Sequence, residues 1–247
     1  MARQTARPVD TFTIGFDDRE GFDERPYARA VARAYGTAHH EEVVHPNAVD
    51  LVERLVWHHD QPFGDSSAVP TFLLSEVTGR EVTVALSGDG GDELFAGHAP
   101  LGLPDAYRSW LSFVEEPLRR QMLAEADEGA LEDYRRIWES SDGAEPLDRL
   151  LNLNLRTYLV DDLLVKVDRM SMAHGLEVRS PFLDTELVDL ALRVRPAAKV
   201  RGRRSSGCCA ARWPTCCPPR SSRAKRGFGV PLDRWFREDL GVYVDST

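Results

Sequence analysis

The chain has 247 residues, 42% of them hydrophobic, which is enough for one good-sized core or for one core with a smaller helical lobe. Its 40 Asp and Glu against 31 Lys and Arg give a formal charge of −9, which argues against a non-specific grip on nucleic acid and leaves any anionic ligand to local groups. No apolar run reaches bilayer-spanning length, and the opening MARQTARPVD lacks the apolar segment of a secretory signal, so the expectation is a cytoplasmic protein with no membrane partner.

Residues 11–16 form a short β-branched and aromatic run before Asp17-Asp18 and predict a buried strand. From Glu24 through Tyr35 the apolar residues Tyr27, Ala28, Val31, Ala32 and Tyr35 recur at helical spacing, with Gly36 as the stop. Residues 39–44 offer a second strand. Residues 48–59 carry Val49, Val52, Leu55 and Val56 on one helical face, and the loop over 61–67 is rich in turn residues. Another helix is expected over 70–78. The nearly continuous apolar run 82–86 suits the centre of a parallel sheet and ends directly at Ser87-Gly88-Asp89-Gly90-Gly91.

Alternating strands and helices predict an α/β fold with an open parallel sheet, whose ligands sit at the carboxyl ends of the strands, where residues 87–92 would lie. From Ala106 onward the pattern changes to helices alone, with Leu111, Val114, Leu118, Met122, Leu147, Leu150, Leu151 and Leu155 as candidate core positions. This divides the chain into an α/β part over 1–104 and a mainly helical part over 105–247.

All four cysteines lie in one stretch, as the adjacent pairs Cys208-Cys209 and Cys216-Cys217. A disulfide framework would spread them, and zinc knuckles use C-x2-C spacing, so neither reading is favoured. Paired histidines at 39–40 and 58–59 have no carboxylates at ligand spacing and read as surface or core residues.

The string Ser-Gly-Asp-Gly-Gly-Asp-Glu after a strand places small residues where backbone N–H groups can approach a phosphate, with carboxylates beside the ligand or its Mg2+. On spacing alone, a plain Gly-rich turn whose Asp92 and Glu93 favour a helix start explains it equally well. The longer block 84–98, VALSGDGGDELFAGH, resembles the strongest block of the asparagine synthase family, LSG(E/D)G(S/G)DELFxGY, with His98 where Tyr is usual. A second block, 166–184, KVDRMSMAHGLEVRSPFLD, is similar to that family's helix and loop beside the aspartate site. A third, Lys225-Arg226-Gly227-Phe228-Gly229-Val230-Pro231, matches the family's Lys-x-Gly-Phe-Gly-x-Pro signature, and the opening strand and helix also fit.

The resemblance implies a parallel sheet of the adenine-nucleotide α-hydrolase or ATP-pyrophosphatase type followed by a helical half. It implies ATP-dependent conversion of aspartate to asparagine through a β-aspartyl-adenylate, with ATP and Mg2+ as cofactors and ammonia drawn from glutamine in the full-length enzyme. It leaves a homodimer of the full-length form open. Carried over by position, Ile14 would contact adenine, and Ser87 and Gly88 would hydrogen-bond the nucleotide. Asp89 would sit at the reaction centre and take a proton from ammonia. Asp92 would approach Mg2+ and pyrophosphate. Lys225 would lie over the α-phosphate and offset charge built up in the transition state. Asp168, Arg169, Glu177 and Arg179, charged residues in an apolar stretch, read at least as well as a buried ion-pair network as substrate contacts.

Two departures from the family set further expectations. Neither the family's N-terminal glutaminase domain nor its Ser-Gly-Gly-x-Asp-Ser-Ser pyrophosphate loop occurs, so the chain is expected to begin inside a domain and to form no adenylate by itself. Residues 201–223 lack an apolar helical period and have the composition of GC-rich coding sequence read out of frame. Two compensating frame changes would produce that, and resequencing the locus tests it. Related readings are an amide synthetase of the β-lactam synthetase or lasso-peptide cyclase type, or a non-catalytic remnant.

Overall fold

The computed structural model describes residues 2, 4–16, 23–44, 48–61, 63–97, 133, 136–141 and 144–200. They group into two compact units, one of residues up to Leu86 with Val165–Arg179, the other of Ser87–Leu164 with the described part of Ser180–Pro214.

In the first unit, β1 (Asp10–Phe16) pairs in parallel with β2 (Ala38–Val44), in register from Asp10 opposite Ala38 to Phe16 opposite Val44. The crossover is α1 (Arg25–Tyr35), opened by a proline in its first turn. It is closed by Gly36 at φ 63°, whose N–H donates to the Ala32 carbonyl, a left-handed cap that glycine adopts without steric cost. Arg29 on this helix forks onto Glu41 of β2 at 2.7 and 2.5 Å.

Helices α2 (Ala48–His59) and α3 (Ala68–Gly79) follow. Ile14 and Phe16 of β1, Leu51 and Leu55 of α2, and Val69, Phe72, Leu73 and Val77 of α3 form one core. Met170 joins it from α6 (Leu164–Met172), and Phe72 and Met170 are completely buried. Truncating either to alanine is worth about 2–5 kcal/mol at such sites.

The second parallel pair in this unit is β3 (Val84–Leu86) with β4 (Glu177–Arg179), Leu86 opposite Arg179. This differs from the expected buried central strand. β3 is shorter, it pairs only with β4 among the described residues, and Val84 and Leu86 are 42% and 49% exposed. An apolar run records how hydrophobic a strand is, not what covers it. β4 also interrupts the stretch read as helices alone, because three residues flanked by charge, Glu-Val-Arg, carry no strand period.

The second unit contains α4 (Gly91–Phe95), α5 (Pro146–Arg156), a π-helical segment over Tyr158–Leu163, a 3-10 turn over Pro181–Leu183, α7 (Thr185–Arg193) and α8 (Pro196–Lys199). Leu147 and Leu151 pack on Ala96 and Val200, while Leu155, Leu187 and Val188 pack on Leu94, Phe95 and Ala191. The expected core positions Leu147, Leu151 and Leu155 are thus in place. Leu111, Val114, Leu118, Met122, the boundary at 104–105 and the cysteine stretch lie outside the described residues. Among the described residues no helix is long and apolar enough to cross a membrane.

Candidate active site

β3 runs directly into Ser87, and the chain turns back at once, the Gly91 N–H donating to the Gly88 carbonyl at 3.2 Å. Gly90 takes φ 84°, and the Leu183 side chain occupies the place where a Cβ would be. Gly91 lies under Phe182, which would be 3.4 Å from a Cβ there. Gly88 is different. It is exposed, and among the described residues beyond its two chain neighbours no atom lies within 4 Å of the Cβ position. Of the three glycines, this is the one whose Cβ position is open among the described residues.

The carboxylates on the turn also separate. Glu93 is 2% exposed and belongs to the interior of its unit, whereas Asp89 and Asp92 are half-buried. Among the described residues, Asp89 makes no ion pair and no side-chain hydrogen bond. No three His, Cys, Asp or Glu side chains among the described residues converge into a metal cage.

The residues that follow β4 flank this turn. Ser180 directly succeeds Arg179, as Ser87 directly succeeds Leu86, and the two hydroxyls are 3.0 Å apart. Phe182 meets Phe95 edge to face, with centroids 6.3 Å apart. The turn and the 180–183 segment are therefore one packed feature at the ends of two parallel strands, the place where open α/β sheets take ligands.

The Asparagine synthase family model matches residues 1–247. The chain belongs to the asparagine synthase family. It is 31% identical over 274 residues to a Mycobacterium tuberculosis (strain ATCC 25618 / H37Rv) protein described as "Putative asparagine synthetase, glutamine-hydrolyzing", covering 92% of this chain and 42% of that protein. It is 27% identical over 292 residues to "Asparagine synthetase, glutamine-hydrolyzing, 1" of Bacillus subtilis (strain 168), covering 99% of this chain and 46% of the relative. A Saccharomyces cerevisiae asparagine synthetase is 27% identical over 78% of this chain and 27% of its own length. The chain spans less than half the length of the curated relatives it matches.

Within this asparagine synthase family chain, Ser87, Gly88, Asp89 and Asp92 come together on one turn. Ile14 belongs to the other unit, where its side chain is 3% exposed in the core. Lys225 and His98 lie outside the described residues.

The second sequence block needs a correction. Asp168, Arg169, Glu177 and Arg179 are all exposed and do not form a buried network. Glu177 and Arg179 pair with each other at the surface at 2.7 Å. Arg169 donates to the carbonyls of His58 and His59 at 3.3 and 3.2 Å, holding the carboxyl end of α2. The buried charge is Lys166, 4% exposed, which donates to Asp65 and, at 2.7 Å, to the Ser67 hydroxyl. Burial raises the Asp65 pKa, but the hydrogen bonds from Lys166 and Ser67 outweigh it and hold the carboxyl below its ordinary value. A charge census cannot single out Lys166, because its partner lies 101 residues away. Ser180, Phe182 and Leu183 lie in the second sequence block but were given no individual role there, since only the β3–β4 register brings them to the turn.

Proposed function

We propose that this chain carries the ATP-dependent half of asparagine synthesis. A β-carboxylate oxygen of aspartate attacks the α-phosphorus of ATP, and the bond to pyrophosphate breaks. Ammonia then attacks the acyl carbon of the β-aspartyl-adenylate, the C–N bond forms as the bond to AMP breaks, and a proton passes to Asp89. The observation that carries this reading is the turn over 87–92 at the ends of two adjacent parallel strands, in a chain matched throughout by the family model.

Ser87 and Gly88 hydrogen-bond the nucleotide, a role for Gly88 supported by its exposure and by an open Cβ position among the described residues. Ile14 contacts adenine through its strand. Lys225 offsets the charge on the α-phosphate as the transition state forms. Mg2+ at a nucleotide is ordinarily held by one or two carboxylates with phosphate oxygens, and Asp92, half-buried on this turn, fits that role. When bound, the ion would neutralise pyrophosphate charge. In the whole enzyme, a cytoplasmic one in this reading, the ammonia comes from glutamine. The acidic residue at position 89 favours ammonia as acceptor over the β-lactam synthetase and lasso-cyclase alternatives.

The test replaces the aligned segment of the Bacillus subtilis relative with this chain and follows aspartate-dependent exchange of labelled pyrophosphate into ATP. Exchange that disappears in Asp89→Ala is expected. A folded hybrid that exchanges nothing, or whose exchange ignores Asp89→Ala, overturns the proposal.

A further inference from the structure

We infer that Ser180 is a positioning residue for nucleotide phosphate, acting through Ser87. The inference rests on the proposed role of Ser87 and goes beyond it by fixing which way that hydroxyl points.

β3 and β4 run parallel with Leu86 opposite Arg179, so the next residue on each strand emerges at the same level. Both are serines, with Oγ atoms 3.0 Å apart. A hydroxyl carries one proton and can donate it only once, while its oxygen can also accept. Phosphate oxygens at neutral pH are acceptors, so Ser87 serves a phosphate only by donating to it. Ser180 must then be the donor within the pair. The resulting order is Ser180 O–H to Ser87 Oγ, then Ser87 O–H to phosphate, and each bond polarises the next.

The backbone around Ser180 is fixed without its hydroxyl. Its carbonyl accepts the Leu183 N–H at 2.9 Å, Pro181 follows in a 3-10 turn, and Leu183 and Phe182 pack on Gly90 and Gly91. Removing the hydroxyl should therefore leave the segment in place and remove only the orientation of Ser87. Among the described residues no other side chain hydrogen-bonds the Ser87 hydroxyl.

The experiment measures ATP and adenosine binding to the full 247-residue chain by calorimetry, with thermal unfolding of each variant as a control. Ser180→Ala is expected to weaken ATP about fivefold, within the range that one hydrogen bond supplies. Adenosine, which has no phosphate, should bind as before, and Ser180→Thr should restore ATP affinity. In a Ser87→Ala background, Ser180→Ala should have no further effect. Equal weakening of ATP and adenosine means a structural role and overturns the inference, as does unchanged ATP affinity or full additivity with Ser87→Ala. Should Ser180→Ala unfold, Ser180→Cys keeps the shape with a weaker donor and must show the same selective loss of ATP. If the unaltered chain binds no ATP, the reading of Ser87 itself falls and this inference with it, a result distinct from a variant that behaves like the unaltered chain.

Discussion

Gly88 and Gly90 lie two residues apart on one turn and carry different constraints. At Gly90, φ 84° and the Leu183 side chain both exclude a Cβ, so Gly90→Ala should lower unfolding free energy by about 1–3 kcal/mol in denaturant titration. At Gly88 the Cβ position is open among the described residues, so Gly88→Ala should leave the melting temperature unchanged. If Gly88 holds the nucleotide as proposed, the same variant should weaken ATP binding instead. Matching melting losses for both variants would mean that Gly88 is only structural. Lys166 is a second test at this scale. Lys166→Met withdraws the donor from Asp65 and should cost about 1.5–3 kcal/mol, the usual worth of hydrogen bonds to a charged group. Asp65, held below its ordinary value of 3.8, contributes stability that is complete above that pH and fades as pH falls toward the folded-state value. Asp65→Asn should accordingly flatten the acid limb of the stability curve below about pH 5. The turn at the end of β3 was legible in the sequence as a Gly-rich turn, but the division of constraints within it was not, because it depends on Leu183 and Phe182, some ninety residues away.

Helices in the first unit were readable nearly to the residue. Residues 48–59 matched α2, the helix expected over 24–35 was found over Arg25–Tyr35 with Gly36 as its cap, and the helix expected over 70–78 spans Ala68–Gly79. Their signals are local: a 3.6-residue apolar period and residues that end helices. β3 and β4 were harder, because pairing is decided by a partner far along the chain. The segment that joins β4 to α7 ends in a cap whose strength can be measured. Asp184 accepts from the Glu186 N–H at 3.0 Å and the Leu187 N–H at 3.4 Å, satisfying two donors at the start of α7. Asp184→Ala should cost about 1 kcal/mol and Asp184→Asn much less, as judged by urea midpoints. Equal midpoints for all three proteins would show that packing of Leu187, Val188 and Ala191 alone sets the helix start.

At the scale of the whole molecule, the family was legible because each of its three blocks is an unbroken run of sequence, whereas the grouping of Val165–Arg179 with residues up to Leu86 was not, since no local period records a contact across a hundred residues. Two histidines of that unit, one buried and one half-buried, set a response to pH. His59 is 3% exposed, stacks on Phe63 with centroids 4.1 Å apart, and neither ring nitrogen has a hydrogen-bond partner among the described residues. Burial lowers its pKa first and the Arg169 charge second; Asp65 opposes the shift, while His58 and Lys166 reinforce it. His174, edge-on to Phe72, is lowered chiefly by burial, with Glu76 opposing and Arg54, His58 and Arg80 adding to it. An unfolded histidine titrates near 6.5, so above that pH both states are neutral and these groups do not penalise the fold. As pH falls through 6.5, the unfolded chain takes up protons that the buried rings refuse, and stability drops until the folded-state pKa is reached. The net charge of −9 works the other way, since protonating surface groups relieves self-repulsion. Burial is local and unscreened while surface charge is spread out and screened by salt, so at about 0.15 M salt the histidine effect should dominate between pH 7.5 and 5.5. Urea unfolding across that range should show falling stability in the unaltered chain, a shallower fall in His59→Phe, and the shallowest in His59→Phe combined with His174→Phe. Three parallel curves would assign the pH response to the acidic surface and sink the histidine account.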